Sequence, residues 1–371
     1  MTKKVMLIFG TRPEAIKMAP IVMRLQEEKD FEPIVCLTAQ HRQMLDQVIN
    51  FFNLPVHYDL NIMKPNQSLY HVTARVLEGL EEVLSKEKPD VVLVQGDTTS
   101  TFAGALAAFY QKIPVGHVEA GLRSHNKFSP YPEEMNRKLT GHIADFHFAP
   151  TEKAARNLFN EGIKDHVYIT GNTVIDALLW TSEQVKKQND YYKQKFSFIS
   201  ENNPVILVTG HRRESFGEPF RQFALALKDL ALKYPHFHIV YPVHLNPNVQ
   251  KPVKEILSGL ENVHLIEPVD YPSLVWLLNR SYLVITDSGG IQEEAPSLGK
   301  PVLVTREVTE RTEGVEAGTA KLVGTDRKRI VEEATRLIED EGEYQRMAKA
   351  VNPYGDGTAS IKMVNILKEV L

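Results

Sequence analysis

The sequence predicts an α/β protein made of two doubly wound, Rossmann-like domains. Three observations carry this. Short apolar runs alternate with amphipathic stretches, and the whole pattern restarts in the second half of the chain. Strand–helix alternation on this scale gives parallel sheets with right-handed crossovers. The third observation is length. The chain has 371 residues, and at about 150 residues per domain that fits two domains.

The first strand series is Val5 to Phe9, Ile34 to Leu37, Val91 to Val94, Val115 to Val118, Phe146 to Ala149 and Val167 to Ile169. Unbroken apolar runs of this kind suit strands covered on both faces. Helices are expected over Glu14 to Glu28, Gln40 to Phe52, Ser68 to Lys86 and Thr99 to Gln111. In the third of these, Leu69, Val72, Val76, Leu77, Leu80 and Leu84 recur at helical spacing. The second series is Val205 to Val208, Ile239 to Pro242, Val263 to Ile266, Leu283 to Thr286 and Val302 to Val304. Helices Arg221 to Lys233 and Tyr271 to Leu278 fall between them. A polar, strand-free stretch, Thr181 to Asn203, separates the two series. Helix Asn172 to Val185 leads the chain towards it. The expected domains are residues 1–175 and 176–358, followed by a last helix over 359–371.

Lys plus Arg is 43 and Asp plus Glu is 47, a formal net charge of −4. That excludes a general nucleic-acid binder, which carries a basic face. Apolar residues at 43% and charged residues at 24% are ordinary for a soluble globular protein. The single cysteine, Cys36, rules out an internal disulfide and fits a reducing compartment. It reads as a small apolar residue of its strand. The first apolar run is too short for a secretory signal, and no 18-residue apolar segment exists. A cytoplasmic protein without a membrane span is expected.

Ligands of open parallel sheets bind beyond the carboxyl ends of the strands. In the first series those ends read Gly10-Thr11-Arg12-Pro13-Glu14, Gln95-Gly96-Asp97-Thr98-Thr99 and Glu119-Ala120-Gly121-Leu122-Arg123. In the second they read Thr209-Gly210-His211-Arg212-Arg213-Glu214, then His244, then Asp287-Ser288-Gly289-Gly290. One polar strand end is usually a turn. Six together predict two functional rims facing a cleft between the domains. The small residues Ser288, Gly289 and Gly290 let backbone N–H groups approach an anion, and the next helix adds its positive end. This suits a diphosphate. Glu294, one turn further, is placed to accept both hydroxyls of a ribose. No Gly-x-Gly-x-x-Gly follows the first strand and no Walker-type loop occurs. The thirteen histidines show no zinc spacing. Neither a cofactor nor a metal is expected.

Taken in order, these motifs resemble the non-hydrolysing UDP-N-acetylglucosamine 2-epimerases of bacteria, over nearly the whole chain. Further matching segments are Thr38-Ala39-Gln40-His41-Arg42, Pro132-Glu133-Glu134, Tyr241-Pro242-Val243-His244-Leu245-Asn246-Pro247 and Asn352-Pro353-Tyr354-Gly355-Asp356-Gly357. The resemblance implies the glycosyltransferase-B fold, with the last helix packing back on the first domain. It implies interconversion of UDP-N-acetylglucosamine and UDP-N-acetylmannosamine by anti elimination of UDP to 2-acetamidoglucal and re-addition, supplying cell-surface polysaccharide. Asp97, Glu119, Glu133 and His211 match catalytic positions. Arg12, Lys17, Ser288, Gly289, Gly290, Glu294 and Arg311 match substrate positions. Val269 and Leu274 stand in the loop where relatives place uracil-contacting side chains. Gln40, His41, Gln43, Arg212 and His244 match a second, activating substrate site. A homodimer is implied.

Each position has a plainer alternative. Arg12 caps a turn, Lys17 lies on a solvated face, Arg311 makes a surface salt bridge, and Asp97 caps the helix from Thr99. Glu133 complements a helix dipole, His211 is a core histidine, and the segment from Gln40 to Gln43 opens a helix. Three competing functions share the composition. They are a hydrolysing epimerase, a glycosyltransferase of the same fold and a non-catalytic nucleotide-sugar sensor.

Overall fold

The computed structural model describes residues 2–39, 42–64 and 67–371, with only the backbone of Arg42 and Gln43. Gln40, His41 and the Gln43 side chain therefore lie outside the described residues. The chain divides into two compact units. The first runs to Ala177 and resumes as Tyr354–Leu371; the second is Leu178–Pro353.

The first unit contains β1 (Lys3–Phe9), α1 (Arg12–Glu27), β2 (Phe31–Leu37), α2 (Arg42–Phe51), β3 (Tyr58–Asp59), α3 (Leu69–Glu87) and β4 (Val91–Gln95). It continues with α4 (Thr99–Tyr110), β5 (Val115–Val118), α5 (Glu133–Ile143), β6 (Phe146–Ala149), α6 (Glu152–Asn160), β7 (Val167–Ile169) and the start of α7 (Thr173–Lys187). Its strands are parallel in the order β3-β2-β1-β4-β5-β6-β7. The second unit adds α8 (Asn189–Lys195), β8 (Val205–Thr209), α9 (Glu218–Lys233), β9 (His238–Pro242), α10 (Pro247–Leu257), β10 (Val263–Ile266), α11 (Tyr271–Arg280) and β11 (Ser281–Thr286). Then come α12 (Gly289–Ser297), β12 (Val302–Val304), α13 (Thr312–Glu316), β13 (Ala320–Leu322), α14 (Arg327–Glu339) and α15 (Glu341–Ala348). Its order is β10-β9-β8-β11-β12-β13. The last helix, α16 (Ala359–Val370), returns to the first unit and packs on α1.

The expected fold class is present, and the apolar runs are its central strands. Val5 to Phe9 and Val91 to Val94 are at most 1% exposed. Each such side chain contributes about 1.5–3 kcal/mol on burial. Two strands lie outside the sequence expectations, β3 and β13. Both are two- or three-residue sheet edges, half-buried or exposed over most of their length, so they carry no continuous apolar run.

Both sheets have the 3-2-1-4 core of the Rossmann pattern. Strand order reverses beside β1 and β4, and again beside β8 and β11. The crevice at such a reversal is where ligands bind. The division between units differs from residues 176 and 358 by a few positions. Tyr354 is 1% exposed and its carbonyl accepts the Asn172 N–H at 2.7 Å, which ties residues after 353 to the first unit. Buried Asp176 then receives the N–H groups of Ala359 and Ser360 and the Ser360 hydroxyl, anchoring the start of α16.

Candidate active site

The first unit's reversal point is built by a buried acid that the sequence reading left unassigned. Thr11 caps α1, and Glu14 stands three residues on, the spacing of a capping box. Glu14 Oε2 accepts the N–H groups of Gly10 (2.9 Å) and Thr11 (2.7 Å). Its Oε1 accepts the hydroxyls of Thr98 (2.6 Å) and Thr101 (3.0 Å). One carboxylate therefore joins the turn that carries Arg12 to the turn that carries Asp97. Gly10 is obligatory in this arrangement, because a Cβ there would stand 1.8 Å from Thr38 Oγ1.

Asp97 does not cap α4. Thr98 does, accepting the Thr101 N–H. This leaves the Asp97 carboxylate to pair with Arg137 of α5, while its carbonyl accepts from Asn136 Nδ2 at 3.0 Å. Of the two neighbouring acids on α5, Glu134 is fully buried. It accepts the N–H groups of Ser124 and His125 and pairs with Arg137 at 3.1 Å. Glu133 is half-buried, and its carboxylate makes no ion pair or hydrogen bond among the described residues.

Glu119 follows β5 directly and is 8% exposed, with φ at +65°. A left-handed backbone costs a non-glycine residue of order 1–3 kcal/mol and gathers at functional sites. Three side chains hold its carboxylate. They are Lys17 Nζ at 2.5 Å from Oε1, Asn172 Nδ2 at 2.9 Å from Oε1, and Gln95 Nε2 on Oε2. Lys17 thus points at Glu119. Beneath lies His117, whose Nε2–H donates to the Gly96 carbonyl at 2.7 Å. Burial pushes this imidazole down to about 3, so it stays neutral and fixes the turn before Asp97.

The second unit's reversal point carries opposite chemistry. Ser288 caps α12, and Gly289 and Gly290 form its first turn. Arg311 lies against that turn, since a Cβ on Gly289 would be 3.4 Å from its Cζ. Its guanidinium is held by Glu293 at 2.7 Å and Glu310 at 3.1 Å. Burial pushes the Glu310 carboxyl up, but Arg311 and Arg306 outweigh it and hold the group down at about 2. Gln292 receives the Thr309 hydroxyl at 2.7 Å, which sets the loop bearing Arg311. Glu294 is buried, and a Cβ on Gly290 would be 3.9 Å from its Oε1. Tyr271 is enclosed close by. Burial, reinforced by the Glu294 charge, pushes its phenol well above the usual range.

After β8, Tyr241 donates to the Gly210 carbonyl at 2.7 Å. The His211 ring stacks on His244, with centroids 5.2 Å apart and planes at 11°. Arg212 reaches Glu310 at 3.9 Å. Leu274 belongs to the first turn of α11, capped by Asp270, within the helix expected over Tyr271 to Leu278; of the two residues matched to the uracil loop, only Val269 lies in a loop. The missed residues divide in two. Glu14 and Glu134 have visible signals, a capping-box spacing and an i,i+3 arginine. Gln95 and Asn172 have none, because only the sheet brings them to Glu119.

The arrangement offers acids to move protons on one unit and a donor-lined helix terminus for an anion on the other. Among the described residues no helix is long and apolar enough to cross a membrane, and no acid, histidine or cysteine cluster of metal-binding form occurs. The family model described as UDP-N-acetylglucosamine 2-epimerase matches residues 23–368. The UDP-N-acetylglucosamine 2-epimerase of Escherichia coli K12 is 58% identical over 369 residues, covering 98% of each chain. The crystal structure of the Neisseria meningitidis UDP-GlcNAc 2-epimerase bound to UDP-GlcNAc superposes with a TM-score of 0.92. It has 55% identity over 99% of this chain and 100% of that one. The Methanocaldococcus jannaschii enzyme, in complex with UDP-GlcNAc and UDP, gives 0.81 at 35% identity, covering 99% of each chain. With its fold and nearly all of its length matched by these proteins, the chain belongs to the UDP-N-acetylglucosamine 2-epimerase family of isomerases.

Proposed function

We propose that the chain interconverts UDP-N-acetylglucosamine and UDP-N-acetylmannosamine without net hydrolysis. The observation that carries this is the division of chemistry between the two reversal points. C2–H of the sugar is not acidic, so a direct proton abstraction faces a high barrier. Anti elimination of UDP removes that difficulty, giving 2-acetamidoglucal, and re-addition with a proton on the other face of C2 gives the epimer. The Ser288, Gly289 and Gly290 amides, with Arg12 and Arg311, take the charge that builds on the diphosphate, a preorganised electrostatic site. Glu294 takes the ribose. Asp97, Glu119 and Glu133 share proton transfer at C2. His211 gives a proton to the leaving diphosphate and recovers it on re-addition. Lys17 acts through Glu119, holding it charged.

The reading extends to a cytoplasmic homodimer that supplies N-acetylmannosamine units for cell-surface polysaccharide. It also extends to activation by a second UDP-N-acetylglucosamine at Gln40, His41, Gln43, Arg212 and His244. One proton NMR experiment in deuterium oxide tests the reaction. UDP-N-acetylglucosamine becomes a mixture of the two nucleotide sugars with deuterium at C2. Accumulating free N-acetylmannosamine would make the enzyme a hydrolysing epimerase. Product without solvent deuterium, or no C2 exchange at all, would overturn the mechanism.

A further inference from the structure

The turn after β11 holds a carboxylate with an unusual partnership. Asp287 is 2% exposed. Its Oδ2 accepts the backbone N–H groups of His211 (2.7 Å) and Arg212 (2.8 Å). Its Oδ1 is buried, has no hydrogen-bond partner among the described residues, and stands 3.6 Å from His211 Nδ1. A buried carboxylate oxygen left without a donor is costly. The two N–H groups on Oδ2 belong to the turn that carries His211, so carboxylate and imidazole share one rigid frame. At 3.6 Å the contact is longer than a hydrogen bond. Catalytic contacts are often long before substrate arrives and tighten in the complex.

The other face of the ring is also set. His244 stacks on it, and His244 Nδ1 accepts the Asn246 N–H at 3.1 Å, which fixes that ring in turn. The charged or titratable groups around His211 include Asp287 from the β11 turn, His244 from the β9 turn and Arg212 beside it. The Arg212 guanidinium reaches towards Glu310.

We propose that Asp287 is the positioning residue of His211: it accepts the Nδ1 proton, so that Nε2 carries the proton given to the leaving diphosphate. This rests on the reading of His211 as leaving-group acid. The C2–H electron pair becomes the C1=C2 bond as a carboxylate of the first unit, acting as base, takes that proton. The C1–O pair leaves with the diphosphate oxygen, which takes the Nε2 proton. The imidazole ends neutral, with Nδ1–H still facing Asp287. On re-addition the diphosphate oxygen returns its proton to Nε2 and bonds to C1, while the C1=C2 pair takes a proton at C2 from a carboxyl group on the opposite face of the sugar. A carboxylate that orients an imidazole in this way fixes its tautomer and favours its charged form.

The test is Asp287→Asn in the full chain. The amide oxygen still accepts the two backbone N–H groups, but its NH₂ now faces Nδ1 and inverts the tautomer. We expect kcat to fall about 10²-fold or more with UDP affinity retained. The alkaline limb of the kcat profile moves to lower pH. Nitrogen-15 NMR shows the His211 imidazole titrating at lower pH than in the parent. In a His211→Gln background, Asp287→Asn causes no further loss. Additive losses in the double variant, or an unmoved His211 titration, overturn the pairing. A titration that moves while kcat stays constant shows that the pairing exists but removes His211 from the reaction, and with it the positioning role. If Asp287→Asn does not fold, the parent decides. A neutral His211 protonated on Nδ1 supports the proposal, and one protonated only on Nε2 overturns it.

Discussion

The two reversal points share one topology and carry opposite electrostatics. On the first unit, the carboxylates proposed to move protons are held by cations. Lys17 pairs with Glu119, and Arg137 pairs with Asp97. On the second, the cations and amides proposed to hold the diphosphate are themselves held by carboxylates. Glu293 and Glu310 pair with Arg311, and Asp287 takes the N–H groups of the His211 turn. Each rim therefore contains both signs of charge, and neither sign alone identifies a catalytic residue. What separates the roles is which group faces the strand end and which is buried behind it. Glu133 and Glu134 show this in adjacent positions. Glu134 is sealed under two backbone N–H groups and an arginine, whereas Glu133 is half-buried and makes no ion pair or hydrogen bond among the described residues.

The sharpest way to break the comparison is to neutralise an acid of the first rim. Glu119→Gln should cut turnover by about 10²–10⁴-fold, with Asp97→Asn and Glu133→Gln in the same range. Calorimetric UDP affinity should stay close to the parent in Glu133→Gln. A matching loss of UDP binding would show that the rims do not divide the work. The second test removes a cation from the other rim. Arg311→Ala should weaken UDP by about 10-fold or more, in keeping with charge-assisted hydrogen bonds of about 1.5–3 kcal/mol. It should also lower the melting temperature, because Glu293 and Glu310 lose their partner. Unchanged UDP affinity would confine Arg311 to a structural role.

A third, smaller effect concerns the scaffold. Glu14→Ala leaves two backbone N–H groups buried without an acceptor, at about 1–3 kcal/mol for a group left unsatisfied. Urea denaturation should show this loss. Turnover should fall as well, since Arg12 and Asp97 are no longer held in one frame. A variant that loses stability but keeps kcat would show that the rim assembles without the clamp.

The smallest effect is on pH dependence. Burial lowers His117 to about 3, His147 to about 4 and His264 to about 4. Folded pKa values below the unfolded one mean that the unfolded chain binds protons first. The stability from these three is therefore full above about 6.5 and is lost as pH falls towards 4. Denaturation midpoints should decrease from pH 7 to pH 5. His264 lies on the second unit and the other two on the first, so His264→Gln should reduce that decrease without altering the acids' rim. A midpoint independent of pH over this range would contradict the buried neutral state.

Much of the site was legible in the chain, because its residues sit at the ends of apolar runs. Gly10 to Glu14, Gln95 to Thr99 and Asp287 to Gly290 each follow a run that becomes a central strand. A strand end is a local property, and so is a capping-box spacing. The role of each residue was less legible. Thr98 rather than Asp97 caps α4, because capping depends on φ, ψ and one hydrogen bond.

Sequence alone determined the two parallel-sheet units, their central strands and the strand ends that carry chemistry, since hydrophobic periodicity and turn residues are written locally along the chain. Only the tertiary structure decided which of those ends meet. The strand order puts β1 beside β4 and β8 beside β11, and so joins turns more than 75 residues apart, as in the Glu14–Thr98 and His211–Asp287 contacts. It also brought Gln95 and Asn172 onto Glu119. Residues that meet only across a sheet leave no periodic mark on the chain, because their contact depends on crossovers rather than on neighbours in sequence.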